Sequence, residues 1–408
     1  MNILLVAEFS IAQVIGGSER VLRSQALGLA ARGHAVRVLT RARTQDRELR
    51  VVVEGVEETR YPVDRRTALS FVLSSVRNAG RAVAAMARES RPDVLLVHQA
   101  LPGLAVLGAF LRVPYVYLCH SLAHEEFETR YSPPSGPAAR LWYWCQSMAR
   151  RQIEGAVLKR ASRVVVLSDF MRRRMVACYR VPDACVRVIP GGVDVERFCP
   201  VSDRRPVRAA LGLEETGFVI LTVRNLVPRM GLDTLLRAMA RVRQAIPHAQ
   251  LLIGGSGPLR SELESLAKTL NLEGCVRFLG FVPEEALPEY YRAADVFVLP
   301  TAQLEGFGLV TIEALACGTP VLGTPVGATD EILGQLDRAF ITAGSDADSL
   351  ADGIASLYRR LAADPAVRER LSAECRALAL RDYTWARHCA QVEAVLSEAL
   401  CAVPAGGR

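Results

Sequence analysis

The sequence predicts an α/β protein with two doubly wound parallel sheets in tandem. Short apolar, β-branched runs alternate with helix-periodic segments along most of the 408 residues. The apolar runs are continuous, as expected of strands that helices cover on both faces. The alternation pauses at 188–208, a stretch rich in proline and glycine, and then begins again. These three observations place a domain boundary near residue 190, between domains of residues 1–190 and 191–383.

The first half opens with a βαβ unit. Residues 3–7 predict a strand, and the periodic segment 19–32 predicts a helix that stops before Gly33. Residues 35–40 predict the second strand because they are apolar and β-branched. Further buried strands of this half are predicted at 51–53, 94–97, 115–118 and 164–167.

The second half repeats the alternation and then becomes helical. Its predicted strands are 218–223, 250–254, 276–279, 296–299 and 321–322, followed by helical segments such as 232–244 and 259–270. From Asp346 onward only helices are predicted, and Thr384 is a suitable N-cap for a last helix at about 384–402.

Composition and charge narrow the class of protein. Half of the residues are hydrophobic, which excludes collagen-like and disordered chains. Residues 1–200 hold 29 basic and 18 acidic residues, whereas 201–408 hold 21 and 25, so the net charge of +7 lies in the first half. That basic half suits an anionic membrane, a polyanion or a merely solvated surface. Nucleic acid is least favoured because no recognised binding motif is present.

The lack of a recognisable targeting signal and the pattern of cysteine usage favour a cytoplasmic location. Met1 to Gly17 does not resemble a secretory signal, and no apolar run reaches the roughly 20 residues that a membrane-spanning helix needs. The ten cysteines are dispersed, without metal-binding spacing. We therefore expect no metal and no disulfide framework.

Ligands of open α/β sheets bind beyond the carboxyl ends of the strands. With two such domains, the expected site is a cleft between their strand-end loops. Gly16 and Gly17 follow the first strand and open a helix, where backbone N–H groups favour anions. His120 follows the strand at 115–118, and its near-neutral pKa suits polar contact or proton transfer. The structural alternatives are that Gly16 and Gly17 form a flexible turn and that His120 hydrogen-bonds only to local backbone.

Three loops of the second domain carry further polar or glycine-rich signals. Arg224 and Arg229 follow its first strand, where two guanidinium groups can clamp a diphosphate. The loop 254–257, which includes Gly255, is rich in glycine and precedes a helix. Glu305 and Glu313 flank a glycine-containing helix start and lie eight residues apart. That spacing is roughly 12 Å along a helix, against about 5–9.5 Å for a glycosidase pair, so the two carboxylates suit different parts of one long ligand.

Two other segments have structural and functional interpretations. Pro190, Gly191 and Gly192 suit a hinge as well as an ordinary tight turn. Residues 140–144 contain Trp142 and Trp144 and precede several basic residues, which predicts an amphipathic helix. Such a helix suits a membrane surface or a core anchored by tryptophan.

Together these motifs resemble glycosyltransferase family 4. The resemblance rests on the glutamate pair Glu305 and Glu313, the segment 191–198, the arginine-containing loop before Gly231 and the early Gly16-Gly17 loop. It covers nearly the whole chain and is strongest from about residue 188 to 327. It implies a retaining enzyme of the GT-B type, in which two Rossmann-like domains face a central cleft.

The resemblance also implies roles for individual residues. Glu313 holds the ribose hydroxyls of a nucleoside diphosphate sugar, and Glu305 and His120 contact its sugar as the catalytic residues. The last helix crosses back to the first domain. Donor-binding positions are expected at Gly17, Arg224, Arg229, Gly255, Phe281, Val282, Phe307, Gly308, Leu309, Val310 and Glu313.

One departure from the family pattern concerns the diphosphate clamp. The family usually has arginine and lysine where this chain has Asn225 and Met230, and Arg224 and Arg229 each stand one position away. The leading hypothesis is sugar transfer to a hydroxyl of a glycan or lipid-linked acceptor in cell-surface polysaccharide or glycolipid synthesis. It uses the nucleotide sugar (UDP or GDP) as co-substrate and no other cofactor, in the cytoplasm or at the inner face of the cell membrane. The alternatives are a nucleotide-sugar epimerase of the same fold and a weakened transferase that acts as a partner subunit.

Overall fold

The computed structural model describes residues 1–109, 112–131 and 133–401. Two compact units make up the chain. The first comprises Met1–Gly191 together with the C-terminal segment that begins at Trp385, and the second comprises Gly192–Thr384.

The first unit is built on an eight-stranded sheet. Its strands are β1 (Asn2–Val6), β2 (Ala35–Arg41), β3 (Arg50–Val53), β4 (Val56–Tyr61), β5 (Val94–His98), β6 (Tyr115–Cys119), β7 (Arg163–Val166) and β8 (Val186–Val188). Its helices are α1 (Gly17–Ala31), α2 (Ala68–Glu89), α3 (Ala100–Gly108), α4 (Ala123–Arg130), α5 (Pro137–Leu158), α6 (Asp169–Tyr179) and the last helix of the chain, α15 (Trp385–Cys401).

The strand order of this sheet is β3-β4-β2-β1-β5-β6-β7-β8. All neighbours run parallel except β3 and β4. In the central strands β1, β5 and β6 every residue except Asn2 is buried, and most are valine, leucine, isoleucine or tyrosine, as a sheet covered by helices requires. Helix α15 packs on α1, where buried Cys389 lies against Ser24 and Gly28. The last residue of the predicted helix, 402, lies outside the described residues.

The edge of the first sheet differs from the prediction. Residues 51–53 were expected to form a buried strand, but β3 is an antiparallel edge strand and Val52 is 72% exposed. Strand β4 escaped prediction because its sequence is polar. Buried Glu58 in β4 accepts hydrogen bonds from Thr40, Ser10 and Arg60, so the polar run is satisfied internally. Strand β8 also escaped prediction, since it has only three residues.

The second unit has a five-stranded, wholly parallel sheet of order β11-β10-β9-β12-β13. Its strands are β9 (Phe218–Val223), β10 (Ala249–Gly254), β11 (Val276–Gly280), β12 (Val296–Leu299) and β13 (Val321–Gly323). Its helices are α7 (Arg205–Ala210), α8 (Leu232–Ala245), α9 (Arg260–Thr269), α10 (Leu287–Ala293), α11 (Leu309–Ala316), α12 (Thr329–Leu333), α13 (Ala347–Ala363) and α14 (Pro365–Asp382).

These two Rossmann-like sheets confirm the predicted fold class. The parallel order places the carboxyl ends of β9, β10, β11 and β12 at one edge of the second sheet. The ends of β1, β5 and β6 likewise share one edge of the first sheet. Over the described part of the chain, no helix combines the length and apolar character needed to cross a membrane.

Candidate functional site

The strand-end loops of the second unit are joined by backbone hydrogen bonds. The N–H of Arg224 donates to the carbonyl of Gly254 at 2.9 Å, and the N–H of Gly255 donates to the carbonyl of Gly280 at 2.7 Å. Gly255 has a φ of +125°, and a Cβ there would lie 1.8 Å from the carbonyl oxygen of Arg224. Glycine is therefore required at 255 so that the loops after β9 and β10 can touch.

A buried ion pair lies at this edge. Nη2 of Arg224 is 2.6 Å from Oε2 of Glu305, and both side chains are buried. The hydroxyl of Thr301 donates to the same carboxylate oxygen at 2.8 Å. Burial alone would raise the pKa of Glu305, but the guanidinium of Arg224 and the hydroxyl of Thr301 hold it below its usual range. Glu305 is thus ionised at neutral pH.

Arg224 and Met230 are in direct contact. The sulfur of Met230 lies 2.7 Å from Nη2 of Arg224 and 3.2 Å from its Nε. The third nitrogen, Nη1, is buried and has no hydrogen-bond partner among the described residues. Arg229 instead donates from Nη1 to the carbonyl of Leu304 at 2.9 Å. Arg224 and Arg229, which neighbour the positions where the family usually has cations, therefore both approach the segment that carries Glu305.

The helix start after Glu305 exposes backbone rather than a capping side chain. Gly308 is the N-cap of α11 at a φ of +87°, and no side chain caps the first turn. Leu309 and Val310 form that turn, whereas the Phe307 ring is buried against Tyr383 at 5.9 Å between centroids. Free N–H groups at a helix start favour a bound anion.

Glu313 lies further along α11 and is buried. The hydroxyl of Tyr291 donates to its Oε2 at 2.9 Å. Phe281 and Val282, which follow β11, differ from each other: Phe281 is 55% exposed, and Val282 is buried against the end of β10. The second unit thus gathers Arg224, Gly255, Phe281, Glu305 and Gly308, with their neighbours, at the carboxyl ends of its strands.

The first unit holds the other two predicted positions. Gly17 begins α1 after the N-cap Gly16, again without a capping side chain. His120 follows β6 and lies next to His98, the last residue of β5, with 3.0 Å between Nε2 of His120 and Nδ1 of His98.

Histidine burial makes the stability of the first unit depend on pH. Burial lowers the pKa of both His120 and His388 to about 4, and it lowers that of His98 well below its usual value. The unfolded chain binds protons on these rings near pH 6.5, so between about 6.5 and 4 it holds more protons than the folded chain. We expect the thermal midpoint of this unit to fall as the pH drops through that interval. Calorimetry on the full chain measures this dependence.

His388→Gln is the matched variant, because the amide keeps polar contacts but does not titrate. It should flatten the dependence relative to the unmodified protein. A midpoint that stays constant from pH 7 to pH 4.5 would show that the histidines are not buried in the neutral form.

Helix α5 carries an exposed apolar surface, the α5 face, formed by Leu141, Trp142, Trp144 and Met148. These side chains are 67%, 63%, 49% and 64% exposed. The aromatic residue of this segment that packs inward is Tyr143, whose hydroxyl donates to the carbonyl of Tyr131 at 3.0 Å. The interpretation of the two tryptophans as core anchors is therefore wrong.

A group of metal-ligand types occurs in the first unit. Ligand atoms of His124, Glu125 and Cys178 lie within 4.8 Å of one another. However, Arg174 forms an ion pair with Glu125, and burial raises the pKa of the Cys178 thiol. A guanidinium and a protonated thiol both oppose a cation, so these residues do not fit a metal centre.

Sequence reasoning missed three residues of these sites. Thr301 and Tyr291 hold the two glutamates, and their roles depend on hydrogen bonds between elements. His98 had a usable signal, because it directly follows a buried apolar run, as His120 does.

Comparisons with known proteins agree with this architecture. Residues 15–197 match the family model described as Glycosyltransferase Family 4, and residues 203–375 match that of Glycosyl transferases group 1. A D-inositol 3-phosphate glycosyltransferase of Saccharomonospora viridis is 32% identical over 410 residues, which cover 95% of this chain and 90% of that protein. A GDP-mannose-dependent monoacylated alpha-(1-6)-phosphatidylinositol monomannoside mannosyltransferase of Corynebacterium glutamicum is 37% identical over 206 residues, covering 48% of this chain and 52% of that protein.

Solved structures extend the similarity to the whole fold. Sucrose-phosphate synthase from Thermosynechococcus elongatus superposes with a TM-score of 0.82 at 26% identity, covering 98% of this chain and all of that one. WaaG, a glycosyltransferase involved in lipopolysaccharide biosynthesis, shares the fold with a TM-score of 0.73 at 19% identity, covering 96% of this chain and 99% of that one. On the family models and the full-length relatives, the chain is a glycosyltransferase that belongs to glycosyltransferase family 4.

Proposed function

We propose that this protein transfers a sugar from a nucleoside diphosphate sugar to a hydroxyl acceptor with retention of anomeric configuration. The observation that carries the proposal is Arg224. Its guanidinium is buried at the carboxyl ends of the strands, is paired with Glu305, and keeps Nη1 without a partner among the described residues. A buried guanidinium nitrogen of this kind suits an anionic oxygen.

The residues of the second unit divide the donor among them. Arg224, Arg229 and the N–H groups at the start of α11 would stabilise the charge that grows on the departing diphosphate. Ionised Glu305 would lie at the sugar, Glu313 at the ribose hydroxyls, and Phe281 and Val282 at the base. Gly17 and His120 are the positions of the first unit that we assign to the diphosphate and to the sugar.

Retention follows if the diphosphate itself serves as the base. The bond from the anomeric carbon to the diphosphate oxygen breaks, and the acceptor oxygen bonds to the same face of that carbon. The acceptor proton passes to the departing diphosphate. His120 and Glu305 position the sugar in this scheme, and neither needs to form a covalent intermediate.

The relatives suggest where to begin with substrates. The mannosyltransferase relatives are named for GDP-mannose and for phosphatidylinositol mannosides, and the inositol glycosyltransferases are named for D-inositol 3-phosphate. We propose a hexosyl donor carried by GDP or UDP and an acceptor hydroxyl on a glycan or lipid-linked molecule. Such transfer would serve cell-surface polysaccharide or glycolipid synthesis in the cytoplasm.

A panel of nucleotide sugars tests the function. Binding and slow donor hydrolysis would be followed by NMR with GDP-mannose, UDP-glucose and ADP-glucose, first without and then with candidate acceptors. We expect one donor to bind best and to give an α-linked product from an α-donor. Conversion of the donor sugar to its epimer without acceptor would favour an epimerase. Binding without any turnover by the purified protein would favour a partner subunit.

The α5 face supports a peripheral membrane contact. Exposed Arg140 and Arg151 flank its apolar side chains, and the only acidic residue of α5, Glu154, points inward to the hydroxyls of Tyr117 and Tyr179. An exposed surface that is apolar and basic suits an anionic lipid surface.

We expect the protein to sediment with vesicles that contain anionic lipid and to be released by salt. Trp142→Ala together with Trp144→Ala should reduce the bound fraction several-fold, because the two tryptophans are the largest exposed apolar side chains of the α5 face. Phe281→Ala, an exposed aromatic of the second unit, is the matched control and should bind like the unmodified protein. Equal binding by all three proteins would refute this surface.

A further inference from the structure

A second histidine stands beside His120. His98 closes β5 and is fully buried, and His120 follows the neighbouring strand β6 and is half-buried. Their rings meet through Nδ1 of His98 and Nε2 of His120, 3.0 Å apart. One of these two nitrogens must carry a proton and the other must accept it. This contact uses Nε2 of His120, so a ligand would meet His120 through Nδ1.

The other nitrogen of His98 decides the direction of this hydrogen bond. Nε2 of His98 is buried and has no hydrogen-bond partner in the described part of the chain. Buried N–H groups without an acceptor are rarer in proteins than buried acceptors without a donor. The favoured form of His98 is therefore protonated on Nδ1, which donates to Nε2 of His120. Neutral His120 then carries its own proton on Nδ1.

Both rings are held neutral in this arrangement. Burial lowers the pKa of His120 to about 4 and that of His98 well below its usual range, so neither ring is charged at neutral pH. Among the groups that act on both rings is His388 of α15, whose Nδ1 donates to the carbonyl of Pro190 at 2.6 Å. Burial lowers the pKa of His388 to about 4 although this hydrogen bond acts in the opposite direction, so the His388 ring is neutral as well.

The backbone next to His98 is strained. Gln99 has a φ of 64° and a ψ of 159°, a region that glycine occupies almost alone. Its side-chain oxygen accepts the N–H of Glu8 at 3.1 Å, which ties the end of β5 to the end of β1. Strain of this kind persists where surrounding structure maintains it, and it concentrates at functional sites.

We propose that His98 is a positioning residue that locks His120 in its Nδ1–H tautomer. His120 then acts as a hydrogen-bond donor to a hydroxyl oxygen of the donor sugar and does not accept a proton. The identity of that ligand rests on the proposed function, whereas the tautomer does not. The assignment rests on the contact between His98, which is fully buried, and His120 at the end of the neighbouring strand.

Nitrogen-15 NMR of the full chain, labelled at its six histidines, measures the tautomers directly. Resonances would be assigned by comparison with His98→Asn and His120→Asn. We expect Nδ1–H at both His98 and His120 in the unmodified protein. Nε2–H at His120 would overturn the proposal, whatever the enzyme transfers.

Two substitutions of His98 separate positioning from packing. In His98→Asn the side-chain amide reaches about the place of ring Nδ1 and can still donate, whereas His98→Leu keeps similar bulk and cannot donate. We expect His98→Leu to release the His120 tautomer and to lower kcat/KM for the donor by about tenfold, the equivalent of about 1.4 kcal/mol. His98→Asn should keep both properties near those of the unmodified protein.

The outcomes distinguish this proposal from the proposed function. An unchanged His120 tautomer in folded His98→Leu would overturn the positioning role. An equal loss of kcat/KM in the asparagine and leucine variants would also overturn it. If the unmodified protein turns over no nucleotide sugar, the proposed function fails, and the NMR measurement still decides the tautomer.

Discussion

Arg224→Met should reduce turnover by about 100- to 1,000-fold, the loss typical of removing one donor that stabilises developing charge. The same change leaves Glu305 buried without its ion-pair partner. Breaking one side of a buried pair costs about 3–5 kcal/mol, so the free energy of unfolding should fall as well. Steady-state kinetics with the best donor and urea unfolding measure the two effects.

The double variant Arg224→Met with Glu305→Gln separates these effects. It removes both charges, keeps the shape of residue 305, and lets that residue accept the hydrogen bond from Thr301. Removal of both partners is close to neutral for stability. We expect the free energy of unfolding to recover and turnover to stay low. If turnover recovers together with stability, the ion pair is structural and Arg224 does not act on the donor.

The variant Met230→Lys tests whether this chain lacks the usual family cation at position 230 or replaces it by a neighbouring arginine. The Met230 sulfur contacts the Arg224 guanidinium in the interior of this loop, so a lysine ammonium there would face a like charge. This variant should therefore be less stable and no more active. Asn225→Arg is the matched control, because residue 225 is exposed and a cation there faces solvent.

Glu313→Ala is expected to weaken donor binding by about 10- to 100-fold. A hydrogen bond to a charged group is worth about 1.5–3 kcal/mol, and the ribose offers two hydroxyls to this carboxylate. Calorimetric titration with the donor and with its nucleoside diphosphate measures the loss. Both ligands should lose affinity equally, because both carry the ribose.

A ligand change provides the control for this assignment. A nucleotide that lacks the ribose hydroxyls should bind the unmodified protein and Glu313→Ala with nearly equal affinity. Tyr291→Phe removes the hydroxyl that donates to Glu313 and leaves the carboxylate in place. It should lower stability but change donor affinity much less than Glu313→Ala does. If Glu313→Ala lowers the affinity for the deoxy nucleotide as much as the affinity for the ribonucleotide, Glu313 acts in packing and does not bind the ribose.

Prediction from the sequence succeeded where a local pattern has a local cause. The strands at 94–97, 115–118 and 296–299 are continuous apolar runs, and each forms a buried parallel strand. It failed for β4, where Glu58 and Arg60 read as surface residues but are buried together. Glu58 is also satisfied by hydrogen bonds from Ser10 and Thr40, which are distant in the chain, and a local pattern cannot report those contacts.

The candidate site shows the same division. The glycine at 308 and the two glutamates could be identified from spacing, because a helix start and eight residues of helix are local facts. The relation of Arg224 to Glu305 could not, because β9 and β12 are neighbours in the sheet although 81 residues separate the two side chains. Adjacency of Arg224 and Asn225 in sequence also left open which of them points inward.

The sequence by itself determined the class of the fold, the loops that carry chemistry and the family that those loops resemble. Periodicity and glycine placement are sufficient for that, since they act over a few residues. Only the tertiary structure decided three features: which cation pairs with Glu305, which aromatic residues of α5 remain exposed, and the contact between His98 and His120. Those outcomes depend on which strands become neighbours and which side chains lose contact with water, and both are set by packing across the whole unit.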